Sequence, residues 1–327
     1  MSKILEVNDL CKSFVVKKRL LGENDVVSAV NHVSLGLEEG EVLGIVGESG
    51  CGKSTVARLL LHSIRPDSGT MKLCGKEYDM AHATGQDVQT FRKNMQMVFQ
   101  DPYASLDPKM KVEEILMEPL LANKVYTNKK EARKKVKELL EIVGLNETHM
   151  KRYPYQFSGG QRQRIGIARA LALEPAFIAC DEPVSALDVS VQAQILNLLK
   201  EIQKNRNLSL LFISHDLGVV RYIADRVAIM YLGRICEIGS VEEVYTNPKH
   251  PYTEYLLQSV PKMRVPNGDK EDLQQSLQEA NEIKVEKRED MCPFYSRCKY
   301  HTDICKQKFP EQKKRNETIF FCHHPLA

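Results

Sequence analysis

No run of apolar residues in the 327-residue sequence approaches the roughly 18 that a membrane-spanning helix needs. The first ten residues also lack the apolar core of a secretory signal peptide. We therefore expect a cytosolic chain that reaches a membrane only through a partner. Neither sign of charge dominates, with 46 Lys and Arg against 43 Asp and Glu, so composition gives no argument for or against a nucleic-acid partner.

Cysteine is unevenly placed, and the last part of the chain holds a cluster of four: Cys292, Cys298, Cys305 and Cys322. A terminal cluster in a reducing compartment favours metal ligation over disulfides. The closely spaced cysteine pairs of zinc sites are absent, and single, widely spaced cysteines suit an iron–sulfur cluster at least as well. Zinc and reactive thiols remain the alternatives, and three histidines nearby could substitute as ligands: His301, His323 and His324.

The strongest signal is the glycine loop GESGCGKST, Gly47–Thr55, which matches the P-loop pattern in full. An apolar run, 42–46, precedes it and a helical pattern follows it, so the loop lies between a strand and a helix. Backbone N–H groups and the helix N-terminus would then hold phosphates. The stretch comprises Gly47, Glu48, Ser49, Gly50, Cys51, Gly52, Lys53, Ser54 and Thr55. Lys53 would reach the outer phosphates and the Ser54 hydroxyl would ligate Mg²⁺, and no second P-loop occurs.

Two carboxylates, Asp181 and Glu182, end an apolar strand pattern that begins at Phe177. In a P-loop fold the first acid holds Mg²⁺ through water and the second orients and deprotonates the attacking water. A second anion-binding helix start is predicted at Ser158, Gly159, Gly160 and Gln161, where Ser158 is a natural N-cap.

Strand and helix patterns alternate after Gly159, which argues for a parallel sheet flanked by helices. Residues 261–291 are polar and highly charged, so we expect a linker between an ATPase domain, 1–260, and a cysteine-rich module, 292–327. The thiol of Cys51 lies at the predicted helix start, which lowers thiol pKa values, so we expect alkylation to inhibit the ATPase.

Taken in order, GESGCGKST, Gln100, FSGGQ, the acid pair, Asp188 and His215 resemble the ATPase subunit of an ABC transporter. This resemblance covers about residues 4–260. It implies an α/β P-loop NTPase fold: a RecA-like parallel sheet core, an antiparallel β subdomain, a helical subdomain at about 101–170, and the small Cys-rich C-terminal extension. It also implies ATP sandwiched between one subunit's P-loop and the 158–161 turn of the other.

The same resemblance implies roles for single residues. Gln100 would contact Mg²⁺ and the attacking water and sense the membrane partner. His215 would steady the γ-phosphate, and Asp188 would lie in the loop that joins the two sites. Phe14 is the candidate for the aromatic stacked on adenine, with a plain core phenylalanine as the alternative.

Finer resemblance, in QDPYASLDP, RYPYQFSGGQRQRIGIARALAL and NPKHPYTEYLL, is to the F-type ATPase of oligopeptide and dipeptide importers. That family implies a heterodimer with a D-type sister ATPase on the cytoplasmic face of the membrane, two integral membrane permease subunits, and indirect coupling to an extracytoplasmic solute-binding protein. It also implies a 4Fe-4S cluster in the tail. The cargo stays open among peptides, nickel and other small solutes.

A second hypothesis is a soluble ABC ATPase that acts on nucleic acid or the ribosome, with the tail as a zinc module. Relatives of that kind carry long coiled coils or two cassettes in one chain. This sequence has neither, so we expect no nucleic-acid partner.

Overall fold

The structure, a computed structural model, describes residues 3–17, 25–259 and 291–327. Its first part is a four-stranded antiparallel sheet in the order β2-β1-β4-β5. These strands are β1 (Lys3–Lys17), β2 (Asp25–Glu38), β4 (Ser68–Leu73) and β5 (Lys76–Asp79). Alternating apolar side chains of β1, such as Leu5 and Val7, are buried on one face of this sheet, as its pattern predicts.

The main sheet has eight strands in the order β11-β12-β10-β9-β3-β8-β7-β6. Its members are β3 (Val42–Val46), β6 (Met95–Val98), β7 (Phe177–Asp181), β8 (Ser209–Ser214), β9 (Arg226–Tyr231), β10 (Arg234–Ser240), β11 (Lys313–Arg315) and β12 (Thr318–Phe320). Strands β6, β7, β8, β3 and β9 run parallel to one another. Every residue of β3, β7 and β8 is buried, as expected of strands covered on both faces.

Ten α-helices are found in the part of the chain that the structure describes. They are α1 (Lys53–Leu60), α2 (Gly85–Asn94), α3 (Val112–Ala122), α4 (Lys129–Ile142), α5 (Gly159–Leu171), α6 (Val189–Arg206), α7 (Leu217–Ile223), α8 (Val241–Thr246), α9 (Pro251–Ser259) and α10 (Asp303–Gln307). None of them is long and apolar enough to cross a membrane. The expected α/β fold is confirmed.

Helices α3, α4 and α5 are inserted between β6 and β7. Asn128 begins α4 by accepting a hydrogen bond from the N–H of Lys130 at 2.8 Å. Gly144, with φ of +73°, ends the same helix in the left-handed region. The insertion therefore carries the predicted 158–161 turn on the first residues of α5, at a distance in sequence from the P-loop.

The last residues of the chain extend the main sheet, because β12 pairs with β10 in antiparallel register. The hairpin that provides this edge turns at Leu232 and Gly233, both with positive φ. Phe294 is buried against Tyr231 and Tyr252, so the C-terminal segment shares apolar packing with the body. Of the predicted linker, 261–291, all but the final residue lies outside the described residues.

Candidate nucleotide site

The glycine loop connects the carboxyl end of β3 to the first turn of α1. Gly50 and Gly52 have φ of +78° and +108°, a region that favours glycine. A Cβ on Gly47 would lie 2.0 Å from the carbonyl oxygen of Met230, and one on Gly52 would lie 2.1 Å from that of Ala29. Close backbone approach therefore requires glycine at positions 47 and 52, and backbone conformation requires it at position 52 as well.

Lys53 and Ser54 supply the polar side chains at the end of this loop. The ammonium of Lys53, whose residue is only 4% exposed, donates to the carbonyl oxygens of Gly47 and Glu48 at 2.8 and 2.9 Å. The Ser54 hydroxyl donates to Oδ1 of Asp181 at 2.6 Å. Burial raises the pKa of Asp181, and the hydrogen bond from Ser54 opposes that effect. A hydroxyl and a carboxylate in contact are oxygen ligands of the kind that Mg²⁺ takes in phosphoryl-transfer sites.

Glu182 is held from two sides. Its Oε2 accepts from Nε2 of Gln100 at 3.0 Å, and its Oε1 lies 3.1 Å from Nδ1 of His215. The residue has φ of +46°, which is strained for a side chain of this size and is typical of functional positions. Its own N–H is fixed by the carbonyl oxygen of Ile213 in β8 at 3.0 Å. Because β6, β7 and β8 are adjacent parallel strands, residues that follow their carboxyl ends converge.

Most of these groups line one cavity of about 520 Å³, a size typical of small-molecule sites, whereas Gly47 and Asp181 are not part of its lining. Its walls are Ala29, Ser49, Gly50, Gly52, Lys53, Ser54, Thr55, Gln100, Glu182 and His215. The structure thus brings together the P-loop and the three residues that the sequence names as catalytic. Ala29, on β2, was missed, because a small apolar residue in a strand carries no chemical signal.

The turn at 158–161 is not part of this cavity. Ser158 is exposed, and its hydroxyl and the Gln161 side chain exchange hydrogen bonds with each other's backbone N–H groups at 3.3 and 3.1 Å. Gly159 approaches Leu187, beside exposed Asp188 at the start of α6. Within the second predicted phosphate-binding element, Ser158 is therefore exposed to an approaching molecule, Gly159 and Gln161 are half-buried, and Gly160 is buried.

Phe14 is 38% exposed on β1 and lies under the ammonium of Lys12, which is 5.6 Å from the ring centroid. It is not among the residues that line the nucleotide cavity. Its expected stacking on adenine stays a prediction.

The expectation of a reactive thiolate at Cys51 is wrong. The residue is only 3% exposed, and burial raises the pKa of its thiol despite the nearby Lys53 ammonium. Desolvation favours the neutral thiol and outweighs the helix N-terminus that the sequence argument relied on.

The four C-terminal cysteines line a common cavity, together with four histidines: His250, His301, His323 and His324. Burial raises the pKa of the Cys292 and Cys322 thiols to about 12 and about 11, so both are neutral thiols without a metal. No group of three or more His, Cys, Asp or Glu side chains within the described residues is arranged to hold a metal ion. The donors are thus gathered in one place without a preformed coordination geometry.

Residues 30–185 match the ABC transporter family, and residues 236–305 match the family described as the oligopeptide/dipeptide transporter C-terminal region. The oligopeptide transport ATP-binding protein AppF of Bacillus subtilis is 46% identical, with 98% of this chain and 97% of AppF covered. The chain belongs to the ATP-binding subunits of ABC transporters. The di/tripeptide transport ATP-binding protein DppF of Pseudomonas aeruginosa is 43% identical, over 99% of this chain and 98% of DppF.

Solved structures agree with this assignment. The post-hydrolysis dimer of the ATP-binding cassette MJ0796, bound to ADP and Pi, has a TM-score of 0.63 and 28% identity, over 72% of this chain and 98% of that one. The cassette cbiO1 from Clostridium perfringens, part of the transporter complex cbiONQ, has a TM-score of 0.64 and 28% identity, over 76% and 92% of the two chains. As a member of this family, the chain is an ATPase coupled to transport.

Proposed function

We propose that this ATPase energises the import of oligopeptides or dipeptides. ATP hydrolysis in this proposal rests on the cavity in which the P-loop, Gln100, Glu182 and His215 meet, and the cargo rests on the relatives. Relatives over nearly the whole chain are named as oligopeptide and di/tripeptide transport ATP-binding proteins, and the match at 236–305 extends that likeness beyond the cassette.

In this proposal the side chains act on ATP by position and charge. Lys53 exchanges its two loop carbonyls for the outer phosphates, and the N–H groups of the loop bind the remaining phosphate oxygens. Ser54, Asp181 and Gln100 would hold Mg²⁺, which when bound neutralises phosphate charge. Glu182 accepts the proton of the attacking water while His215 holds the same carboxylate in place.

We propose that the site is completed by a second cassette, the D-type sister subunit. Ser158, Gly159, Gly160 and Gln161 lie outside the cavity, with Ser158 exposed at the start of α5. The related cassette MJ0796 is a dimer in its solved structures, which supports the same pairing here. Closing the pair on ATP and opening it on hydrolysis would be the motion passed to the membrane.

The proposed ATPase pair lies beneath two permease subunits, and this chain is proposed to dock one of them at a groove of about 690 Å³ beside the nucleotide cavity. Phe99, Gln100 and Asp101 line it, and Phe99 is 42% exposed. Gln100 lines both the groove and the nucleotide cavity, so one side chain connects the two. The ATPase would then sit on the cytoplasmic face of the membrane, coupled only indirectly to an extracytoplasmic solute-binding protein and without a nucleic-acid partner.

We further propose that the segment 292–327 holds a metal centre on its four cysteines, a 4Fe-4S cluster in preference to Zn²⁺. The support is the chemistry of the donor set, since all four thiols line one cavity. Anaerobically purified protein is expected to be brown and to contain four irons per chain. Cys305→Ser should lose the iron, whereas Cys74→Ser on the exposed hairpin should keep it. Colourless protein that contains zinc would overturn the choice of cluster.

The function is tested by uptake of a labelled dipeptide and a labelled pentapeptide in cells that lack this subunit. Wild-type chain and Glu201→Gln, an exposed position on α6, should restore uptake, whereas Glu182→Gln should not. If the wild-type chain restores uptake of neither peptide, the proposed peptide cargo is contradicted. Co-purification with RNA or ribosomes in place of integral membrane proteins would favour the soluble alternative.

A further inference from the structure

Arg297, in the cysteine-rich segment, forms an ion pair with Glu48 of the P-loop. Its Nη1 lies 3.0 Å from Oε2 of Glu48, and its Nη2 lies 3.0 Å from Oε1 of the same carboxylate. The arginine side chain is only 11% exposed, and its Nη1 also donates to the hydroxyl of Tyr231 at 3.3 Å. A planar, two-pronged guanidinium–carboxylate contact fixes orientation as well as distance.

The arginine is itself firmly placed. Its guanidinium lies over the ring of Tyr255, 4.7 Å from the centroid. Phe294, three residues earlier in the chain, packs edge-on against Tyr231 with ring centroids 5.4 Å apart. Tyr231 in turn packs against Tyr252 at 4.4 Å. Aromatic packing of this kind anchors the segment on β9 and α9, so Arg297 has little freedom to follow Glu48 if the loop moves.

Glu48 is held through its backbone as well. Its N–H donates to the hydroxyl of Tyr252 at 3.1 Å, and its carbonyl oxygen accepts from Nζ of Lys53 at 2.9 Å. One residue of the P-loop is therefore connected on one side to the C-terminal half of the chain and on the other to the phosphate-binding lysine.

We propose that Arg297 is a positioning residue of the nucleotide site: by holding the Glu48 carboxylate it fixes the first half of the P-loop, so nucleotide affinity depends on the C-terminal segment. This inference rests on the ATP site of the proposed function. The cysteine-rich segment then contacts the P-loop directly and supports nucleotide binding, whether or not its thiols hold a metal.

The test is the dissociation constant of an imido-bridged, non-hydrolysable ATP analogue with Mg²⁺, measured by calorimetry on the full chain. Arg297→Gln should weaken binding about tenfold, because a charge-assisted two-pronged contact is lost. Arg297→Lys, which keeps the charge and loses the fork, should recover part of that loss. The matched control is Lys299→Gln, which breaks a neighbouring ion pair with Glu254 (3.2 Å) that does not reach the P-loop, and it should bind as wild type.

A double-mutant cycle shows whether the contact itself is responsible. Glu48→Ala alone should also weaken binding about tenfold, and the double variant with Arg297→Gln should be no weaker than either single variant. An Arg297→Gln variant that folds and binds as tightly as the Lys299→Gln control would overturn the inference, as would losses that multiply in the double variant. If wild type itself fails to bind the analogue, the proposed ATP site is contradicted as well. If wild type binds and Lys53→Ala abolishes binding, the ATP site is supported, and the Arg297 variants then test only the role of the arginine.

Discussion

Replacing Glu182 by glutamine tests the proposed base while leaving the rest of the site in place. The substitution keeps the size of the side chain and removes its negative charge. Because Gln100 and His215 each contact one carboxylate oxygen, the amide can accept from one of them and must turn its NH₂ toward the other. The structural loss is thus about one hydrogen bond, on the order of 1 kcal/mol, too little to disturb the loop or the fold.

Loss of the base is a much larger effect. A positioned general base contributes about 10²- to 10⁴-fold, so we expect kcat to fall about 10³-fold, equivalent to about 4 kcal/mol of transition-state stabilisation. The assay is phosphate release by the assembled transporter in lipid vesicles, with affinity for the non-hydrolysable analogue measured in parallel. Affinity should stay within about threefold of wild type.

The control is Glu201→Gln, which changes an exposed glutamate on α6. A Glu182→Gln transporter that retains more than a tenth of the wild-type kcat would refute the assignment of the base. A comparable loss of affinity and of kcat would instead mean that the substitution disturbs nucleotide binding, which also contradicts the reasoning.

The remaining predictions concern the loop and the core beneath the C-terminal segment. Native Cys51 should react with iodoacetamide far more slowly than exposed Cys74, as read by mass spectrometry of the two peptides, because it is buried; equal rates would contradict this. Gly47→Ala should weaken ATP binding at least tenfold, since the new Cβ would lie 2.0 Å from a carbonyl oxygen of β9, whereas Gly85→Ala meets no atom within 4 Å and should not. Burial lowers the pKa of His250 from 6.5 to about 3. Between pH 6.5 and pH 3 the unfolded state therefore binds a proton on this histidine that the folded state does not. Its contribution to stability is complete above pH 6.5 and is lost as pH falls toward 3; His250→Asn should make the acid-induced drop in unfolding free energy shallower, and an unchanged slope would refute the cause.

Much of the nucleotide site could be predicted because its residues carry local signals. The buried strand before Gly47, the glycines and Lys53 specify a phosphate-binding turn through backbone conformation alone. Asp181 and Glu182 end a buried strand, and parallel strands bring their carboxyl ends to one edge. The fold class followed from the same alternation of strands and helices.

What could not be predicted depends on contacts between distant parts of the chain. Arg297 and Glu48 are 249 positions apart, and neither residue type marks the other. Strands β11 and β12 have three residues each, too short for a periodic pattern to show that they extend the main sheet. The Cys51 prediction failed because a helix start is visible in sequence, whereas the burial that outweighs it is not.

The central claim is that a nucleotide is enclosed by this P-loop and by the 158–161 turn of a facing cassette. A photoreactive benzoylphenylalanine in place of Tyr155, an exposed aromatic three residues before the turn, tests it directly, in assembled transporter that also carries Glu182→Gln. We predict a cross-link to the other cassette that requires ATP. No cross-link with ATP bound, or an equal yield without nucleotide, would contradict the claim.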